Sequence, residues 1–143
     1  MRTPKVHRAL LIAIALAAPP LAAQDPPPIV VEGLKAVIRS GIDTAVAVWL
    51  RGSAVQDDSA SAAQITQAFA KLPAWFGKAF DFEVLKTYLL GTHFKRTYAV
   101  VLFEGGPMFF RFDYYLGPKG WAMQHLDFNS DRAKVFPEAL LPP

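Results

Sequence analysis

The chain has 143 residues, no cysteine and a formal net charge of +3. The lack of cysteine excludes disulfides, thiolate metal sites and a cysteine nucleophile, so the fold must rest on its apolar core. Three of the 15 basic residues lie among the first 23 residues, and the remaining 12 balance the 12 acidic ones. This balance gives no support for a nucleic-acid partner, and the length favours a single domain.

The first 23 residues have the pattern of a secretory signal peptide. Three basic residues precede an apolar run over residues 9–18, which is too short to span a bilayer, and small residues precede a polar stretch. We predict cleavage after Ala23 and export, with a bacterial periplasm favoured over full secretion. The alternatives are cleavage after residues 15–17 and an uncleaved anchor helix.

The rest of the chain predicts a short proline-rich spacer, residues 24–28, and one domain over residues 29–143. Apolar residues recur at intervals of three and four between positions 31 and 50, which predicts an amphipathic helix. Ser40-Gly41 interrupts the pattern, and Asp43 can cap a restart. We therefore expect a bent or two-piece helix.

A second helix is predicted to begin at a capping box, Ser61 with Gln64, and to end at Pro73. Residues 73–77 then form a tight connection with bulky apolar side chains. Over residues 80–90 the period falls to two, which predicts a first strand at a sheet edge or with strong curvature.

The stretch from Phe94 to Asn129 predicts three antiparallel strands joined by two tight turns. Gly105 and Gly106 accept the positive φ angles of a two-residue turn, and Pro107 then opens the next strand. The turn predicts opposed pairs whose side chains share one apolar face. These pairs are Phe103 with Met108, Val101 with Phe110, Ala99 with Phe112 and Thr97 with Tyr114.

The Gly-Pro-Lys-Gly turn that follows leaves two registers open. In the first, Leu116 faces Ala122; in the second it faces Trp121, which sets Phe110 beside Asp127. We favour the first because it pairs apolar side chains together and opposite charges together. Its further pairs are Phe112 with Leu126, Phe110 with Phe128, Arg111 with Asp127 and Asp113 with His125.

Two helices followed by a meander of curved antiparallel strands resemble the nuclear-transport-factor-2-like group, whose domains share a cystatin-like helix-on-sheet architecture. The resemblance is carried by residues 39–43 with Ala45, between the first helices, and by residues 110–115 through Gly120-Trp121 to Phe128. Within this group, the chain is similar in particular to small exported members of unknown function. The resemblance implies an α+β fold, with N-terminal helices on a curved sheet of about four strands.

The group's known activities imply further expectations. Its members include isomerases and dehydratases that use an Asp or an Asp/His pair in a cone-shaped cavity, and others that only bind a ligand or a partner. Sheet-to-sheet homodimers are common among them. The third helix of the group is missing here or reduced to residues 91–94, which implies a reduced and shallower cone.

Polar side chains gather on the second face of the predicted sheet, opposite the apolar one. A histidine beside a carboxylate can act as a general base, so His125 and Asp113 are the candidate catalytic pair. Arg111 can hold an anionic ligand. The candidate ligand-binding residues are Tyr98, Arg111, Asp113, Tyr115 and Asp127. The alternative for this face is a ladder of cross-strand ion pairs.

The same face carries apolar side chains in a number that is unusual for a surface left in water. Either a partner covers them or the register is off by one. The predicted interface, which would serve a homodimer through the sheet face, consists of Leu102, Phe109, Trp121 and Met123.

The leading hypothesis is an exported, non-catalytic domain that binds a ligand or a protein. The ligand would be small and either hydrophobic or anionic. The rival is a small isomerase or hydratase that uses His125 and Asp113, with Arg111 as anion anchor. No cofactor or nucleic acid is predicted, and no metal, since the histidines and acidic residues show no recognised ligand spacing. No membrane contact after signal cleavage is predicted either, since no later segment is long and apolar enough to span a bilayer.

Overall fold

A computed structural model describes residues 24–141 and has an α+β fold in which helices precede an open antiparallel sheet. The predicted signal peptide lies outside the described residues. The strands follow one another in the sheet in chain order, so the first and the fourth form its two edges. The helices are α1 (Pro28–Ser40), α2 (Ile42–Leu50), α3 (Ser59–Ala70) and the short α4 (Leu72–Phe76), and the strands are β1 (Ala79–Leu90), β2 (Phe94–Phe103), β3 (Gly106–Gly117) and β4 (Gly120–Asn129).

The predicted two-piece first helix is confirmed. Helix α1 ends at Ser40, Gly41 adopts a φ of +96°, and α2 restarts at Ile42. The two helices pack closely because Gly33 has no side chain: a Cβ there would lie 1.9 Å from the indole nitrogen of Trp49. That nitrogen donates a hydrogen bond to the Val30 carbonyl at 3.2 Å, so Trp49 is fixed beneath α1.

Helix α3 begins earlier than the sequence predicts, because Asp58 and not Ser61 is its N-cap. Asp58 Oδ1 accepts hydrogen bonds from the backbone nitrogens of Ala60 and Ser61, and the Ser61 hydroxyl donates to Oδ2 at 2.6 Å. These bonds lower the pKa of Asp58, the Ser61 hydroxyl having the largest effect. Pro73 also does not end helical structure, since it lies in the first turn of α4, where proline is tolerated.

The core lies between the helices and one side of the sheet, which we call the helix face. Trp49 is its centre, with ring centroids at 5.0 Å from Phe112, 5.8 Å from Phe110 and 6.1 Å from Phe69. The Tyr114 hydroxyl donates to the Trp49 carbonyl at 2.9 Å, and burial raises the pKa of Tyr114. Each fully buried aromatic side chain stabilises the fold by about 1.5–3 kcal/mol.

The register between β2 and β3 differs from the predicted one by two residues. Phe103 lies opposite Gly106, so the two-residue turn is Glu104-Gly105. This turn is held by α4 and the start of β1, because the Gly105 nitrogen donates to the Phe76 carbonyl at 2.7 Å and the Glu104 nitrogen donates to the Lys78 carbonyl at 3.0 Å. A shift of two leaves every side chain on its predicted face, since faces alternate with period two.

The register between β3 and β4 combines both alternatives. Beyond the turn Leu116 faces Trp121, as in the second register, whereas Phe110 meets Phe128 and Asp113 meets His125, as in the favoured one. A β-bulge with Gln124 as the extra residue joins the two segments.

The bulge corrects the predicted positions of two interface residues. Because it reverses the faces of β4 before Gln124, Met123 is buried in the core beneath the helices. Trp121 packs against the same core, with Lys95 Nζ 5.4 Å from its ring centroid. Neither residue therefore lies on the second face.

The C-terminal tail, residues 130–141, covers the middle of the second face. It contains short 3-10 turns over Arg132–Lys134 and Glu138–Leu140, and Asp131 caps the first of them. Val135 and Phe136 are buried against Tyr98. An apolar second face thus has a cover within the chain itself.

Candidate functional site

The predicted binding residues of the second face differ in how far the tail covers them. Tyr98 is buried beneath the tail, with its ring centroid 5.3 Å from that of Phe136. Tyr115 is exposed at the end of the sheet, with its ring 5.2 Å from Phe94. The tail also contacts the predicted interface, since Phe136 lies 5.2 Å from the ring of Phe109, while Leu102 is half-buried opposite Pro107.

Asp113 is held by a partner that the sequence analysis does not identify. Arg96 on β2 donates to both carboxylate oxygens of Asp113, each at 2.7 Å, and this partly buried pair raises the pKa of Arg96. The predicted register sets Arg96 opposite Tyr115, and the observed two-residue shift brings it to Asp113. Placing the two-residue turn at Glu104-Gly105 instead of Gly105-Gly106 would have predicted this pair from the sequence.

The candidate catalytic pair is not assembled in a water-poor cavity. Asp113 and His125 are opposite each other in the sheet, as predicted, but both oxygens of Asp113 face Arg96. His125 is exposed on the edge strand. The arrangement provides a bidentate ion pair and a solvated imidazole.

Arg111 and Asp127 form the looser of the two charge pairs on the second face. Their nearest nitrogen and oxygen are 3.6 Å apart, beyond ordinary hydrogen-bond length. Among the described residues, the Arg111 Nε atom is buried and has no hydrogen-bond partner. The predicted cross-strand pairing is therefore present, with weak geometry.

An apolar groove with polar residues at its rim lies elsewhere, between α3 and the free edge of β4. Its volume is about 360 Å³. Apolar side chains from both elements line it, namely Ile65, Ala68, Phe69, Met123, Leu126 and Phe128. We refer to this site as the α3–β4 groove.

The groove exists because α3 packs loosely on the sheet. Phe69 is the one buried residue of this helix, and its ring stacks on Phe128 at 4.2 Å and lies 6.0 Å from Phe110. Ile65 is half-buried and Ala68 exposed, so the side of α3 next to β4 is open to solvent. The stacked rings of Phe69 and Phe128 therefore form the floor of the groove, and the space between α3 and the edge of β4 is not filled by side chains.

Three polar residues border the groove: Gln64 on α3 and Gln124 and His125 on β4. Gln124 is at this position because it is the extra residue of the bulge. Amides and an imidazole can each donate and accept hydrogen bonds, which suits the polar end of an otherwise apolar molecule. Of these three residues, only His125 is a candidate site residue by sequence, since the bulge that brings in Gln124 has no local signature.

Two further findings concern the described residues alone. Within residues 24–141, no helix has the length and apolar character needed to cross a membrane. Across the same residues, no group of three or more histidine, aspartate or glutamate side chains is placed to hold a metal ion.

Comparison of the chain with protein-family models, curated proteins and solved structures finds no match. The site is therefore interpreted from its own residues.

Proposed function

We propose that this protein is a binding domain whose α3–β4 groove takes a small, uncharged and largely apolar molecule. The observation that carries the proposal is the pairing of an aromatic floor, Phe69 on Phe128, with a rim of polar residues that includes no Lys, Arg, Asp or Glu among the described residues. Concave, mostly apolar clefts of about 300–1,000 Å³ with few polar groups are the usual form of small-molecule sites.

The chemistry of the lining selects among the two predicted ligand types. No Lys, Arg, Asp or Glu borders the groove among the described residues, so an anion would lose hydration there without gaining a countercharge. A hydrophobic ligand with one polar end can bury its apolar part over Phe69 and Phe128 and reach Gln64 or His125 with the other. The hydrophobic option is accordingly the one we propose.

The rival enzyme function lacks a supporting observation. It needs Asp113 free to act with His125, and Arg96 holds both oxygens of that carboxylate. The groove contains His125 but no carboxylate among the described residues. We therefore advance binding without a catalytic step.

The test uses an uncharged naphthylamine dye whose fluorescence rises in apolar surroundings. Ala68→Trp places an indole in the groove, and we expect it to weaken dye binding at least tenfold, since about 1.4 kcal/mol separates factors of ten. Ala63→Trp is the matched control, because Ala63 is an exposed alanine of the same helix that does not border the groove.

The result is decisive in both directions. Equal dye affinity in the Ala68→Trp and Ala63→Trp variants, with both folded by circular dichroism, would exclude the groove as the site. Loss of binding in the first alone supports the proposal.

We also propose that the fold is a reduced member of the nuclear-transport-factor-2-like group. The order of elements, helices followed by an antiparallel four-stranded meander, supports this assignment. The α+β class itself is observed, and membership of the group is the proposal. Export, periplasmic location and a homodimer through the second face stay predictions. For the homodimer, the tail over Tyr98 and Phe109 would have to move or take part in the contact.

A further inference from the structure

The corner between α3 and β1 exposes two large aromatic side chains. Trp75 on α4 is 69% exposed and Phe80 at the start of β1 is 59% exposed, the two largest exposures among the large apolar residues described. Phe80 is outside the regular pairing because β1 has a register shift between Ala79 and Asp81. We call this region, with Lys71, Pro73 and Lys78, the aromatic corner.

Cationic side chains surround the aromatic corner. Lys71 precedes Trp75 by one helical turn, and its carbonyl accepts the Trp75 backbone N–H. Lys78 and Arg39 border one groove of about 480 Å³ beside the corner, and Arg39 and Lys35 border a second groove with Phe80. All four cations are exposed, and none of them is in an ion pair within residues 24–141.

Two acidic residues lie close to these cations, but both carboxylates have hydrogen bonds. Glu104 accepts from the Lys78 backbone nitrogen at 3.3 Å and lies against Gly77. Asp81 accepts from the Phe82 nitrogen at 2.8 Å. Four cations against two engaged carboxylates leave the corner with a local positive charge, although residues 24–143 have balanced charges overall.

We propose that the aromatic corner docks the protein on the surface of an anionic lipid bilayer. Tryptophan inserts at the level of the headgroups, where its ring gains an apolar environment while the indole N–H stays hydrated, and phenylalanine adds apolar area to the inserted surface. Lysine and arginine beside them gain attraction to anionic headgroups, about fivefold in affinity for each cation near the surface. The combination fits a charged lipid surface better than a neutral protein groove, which would leave four cations unmatched.

The sequence predicts no membrane contact after signal cleavage, and that prediction rests on the lack of a spanning segment. A peripheral contact of this kind combines residues 71–80 with Lys35 and Arg39 of α1, and its exposed side chains show no periodic pattern in the sequence. The inference is independent of the α3–β4 groove, which lies at the opposite edge of the sheet.

The other end of β1 offers a matched control. Leu89 and Leu90 are 45% and 48% exposed, so they present comparable apolar surface. The nearest cation across the sheet, Lys95, donates to the Asp25 carbonyl at 2.7 Å and lies over Trp121. This end of β1 therefore exposes apolar side chains, while Lys95 is already bound to the Asp25 carbonyl and the Trp121 ring.

The experiment measures co-sedimentation with vesicles of residues 24–143, which contain all the helices and strands that the structure describes. One set is phosphatidylcholine with about a third phosphatidylglycerol, and the other is phosphatidylcholine alone. We expect binding to the anionic set that falls at high salt, by screening. The double variant Trp75→Ala/Phe80→Ala should weaken it at least about tenfold, and Lys71→Glu/Lys78→Glu should weaken it about 25-fold or more.

The double variant Leu89→Ala/Leu90→Ala should bind the anionic vesicles as the parent does. A blue shift of tryptophan emission on vesicle addition should vanish in Trp75→Ala, because Trp49 is buried and Trp121 packs on the core. Equal binding to both vesicle sets, equal losses in the two apolar double variants, or no vesicle binding would each overturn the proposal. The last outcome includes the case in which the corner contacts another protein.

Discussion

The two faces of this sheet are covered in different ways. Four helices pack on the helix face, and Trp49 links them to the aromatic rows of β3. The second face has one tail segment, whose Phe136 lies on Tyr98 and Phe109. Among the described residues, the backbone hydrogen bonds within 132–141 close the tail's own turns. Beyond the bond from the Asp131 nitrogen to Asn129 Oδ1 at the end of β4, side-chain packing holds the tail to the sheet.

The comparison shows which kind of contact depends on strand register. A shift of two residues between β2 and β3 leaves the helix face intact, because one apolar side chain replaces another against the helices. On the second face the same shift decides which charges meet, and it gives Asp113 to Arg96. Apolar packing therefore tolerates a register error that charge pairing does not.

The largest expected effect is a difference in stability between a substitution under the helices and one in the C-terminal tail. Phe110→Ala on the helix face should lower the free energy of unfolding by about 3–5 kcal/mol, as for a fully buried phenylalanine. Phe136→Ala should lower it by only about 1–2 kcal/mol, since the tail can detach without unfolding the sheet. Urea denaturation followed by circular dichroism measures both values.

Proteolysis adds a readout specific to the tail. Trypsin should cut the Phe136→Ala variant after Arg132 or Lys134 much faster than the parent, under conditions where the rest of the chain resists. Equal losses of stability in the two variants would show that the tail is as integral to the core as the helices are.

A smaller effect tests the hydrogen bond that ties β3 to α2. Tyr114→Phe removes the bond to the Trp49 carbonyl and should cost about 1 kcal/mol at neutral pH. Burial raises the pKa of Tyr114 in the folded state above its ordinary value of 10.0. The unfolded chain therefore ionises first, and the stability due to this group is full below pH 10 and is lost as the pH rises above it.

The measurement compares parent and Tyr114→Phe in urea at pH 8 and near pH 11. The parent's advantage at pH 8 should shrink at the higher pH, because the phenylalanine variant has no phenol to ionise at this position. An advantage that stays constant would show that the folded state ionises as readily as the unfolded one.

Period and turn chemistry were sufficient to predict the two-piece first helix and the four strands, but not the start of α3 or the short α4. The break at Gly41, the strand of residues 80–90 and the inward row of Phe110 and Phe112 all follow from local patterns, and the structure confirms them. Register was less accessible, since the Glu104-Gly105 turn is fixed by the Phe76 carbonyl, which is distant in sequence.

The candidate site could be predicted only in part. His125 is visible as a lone titratable residue, but its neighbours in the groove depend on the bulge at Gln124 and on the loose packing of α3. Neither feature leaves a pattern in a single sequence, because each results from the fit of α3 and β4 to the whole core. The cover of the second face was missed for the same reason, since a tail rich in proline carries no periodic signal.

The smallest expected effect contrasts the two charge pairs of the second face. Asp113→Asn breaks a bidentate, partly buried pair with Arg96 and should cost about 1 kcal/mol, solvent screening keeping it modest. Asp127→Asn removes a contact of 3.6 Å to Arg111 and should cost close to zero. Each substitution replaces one carboxylate oxygen by an amide nitrogen. Urea denaturation of both variants therefore compares the two ion-pair geometries at the same chemical change. A larger loss for Asp127→Asn would mean that Arg111, with its buried Nε, depends on that carboxylate more than the distance indicates.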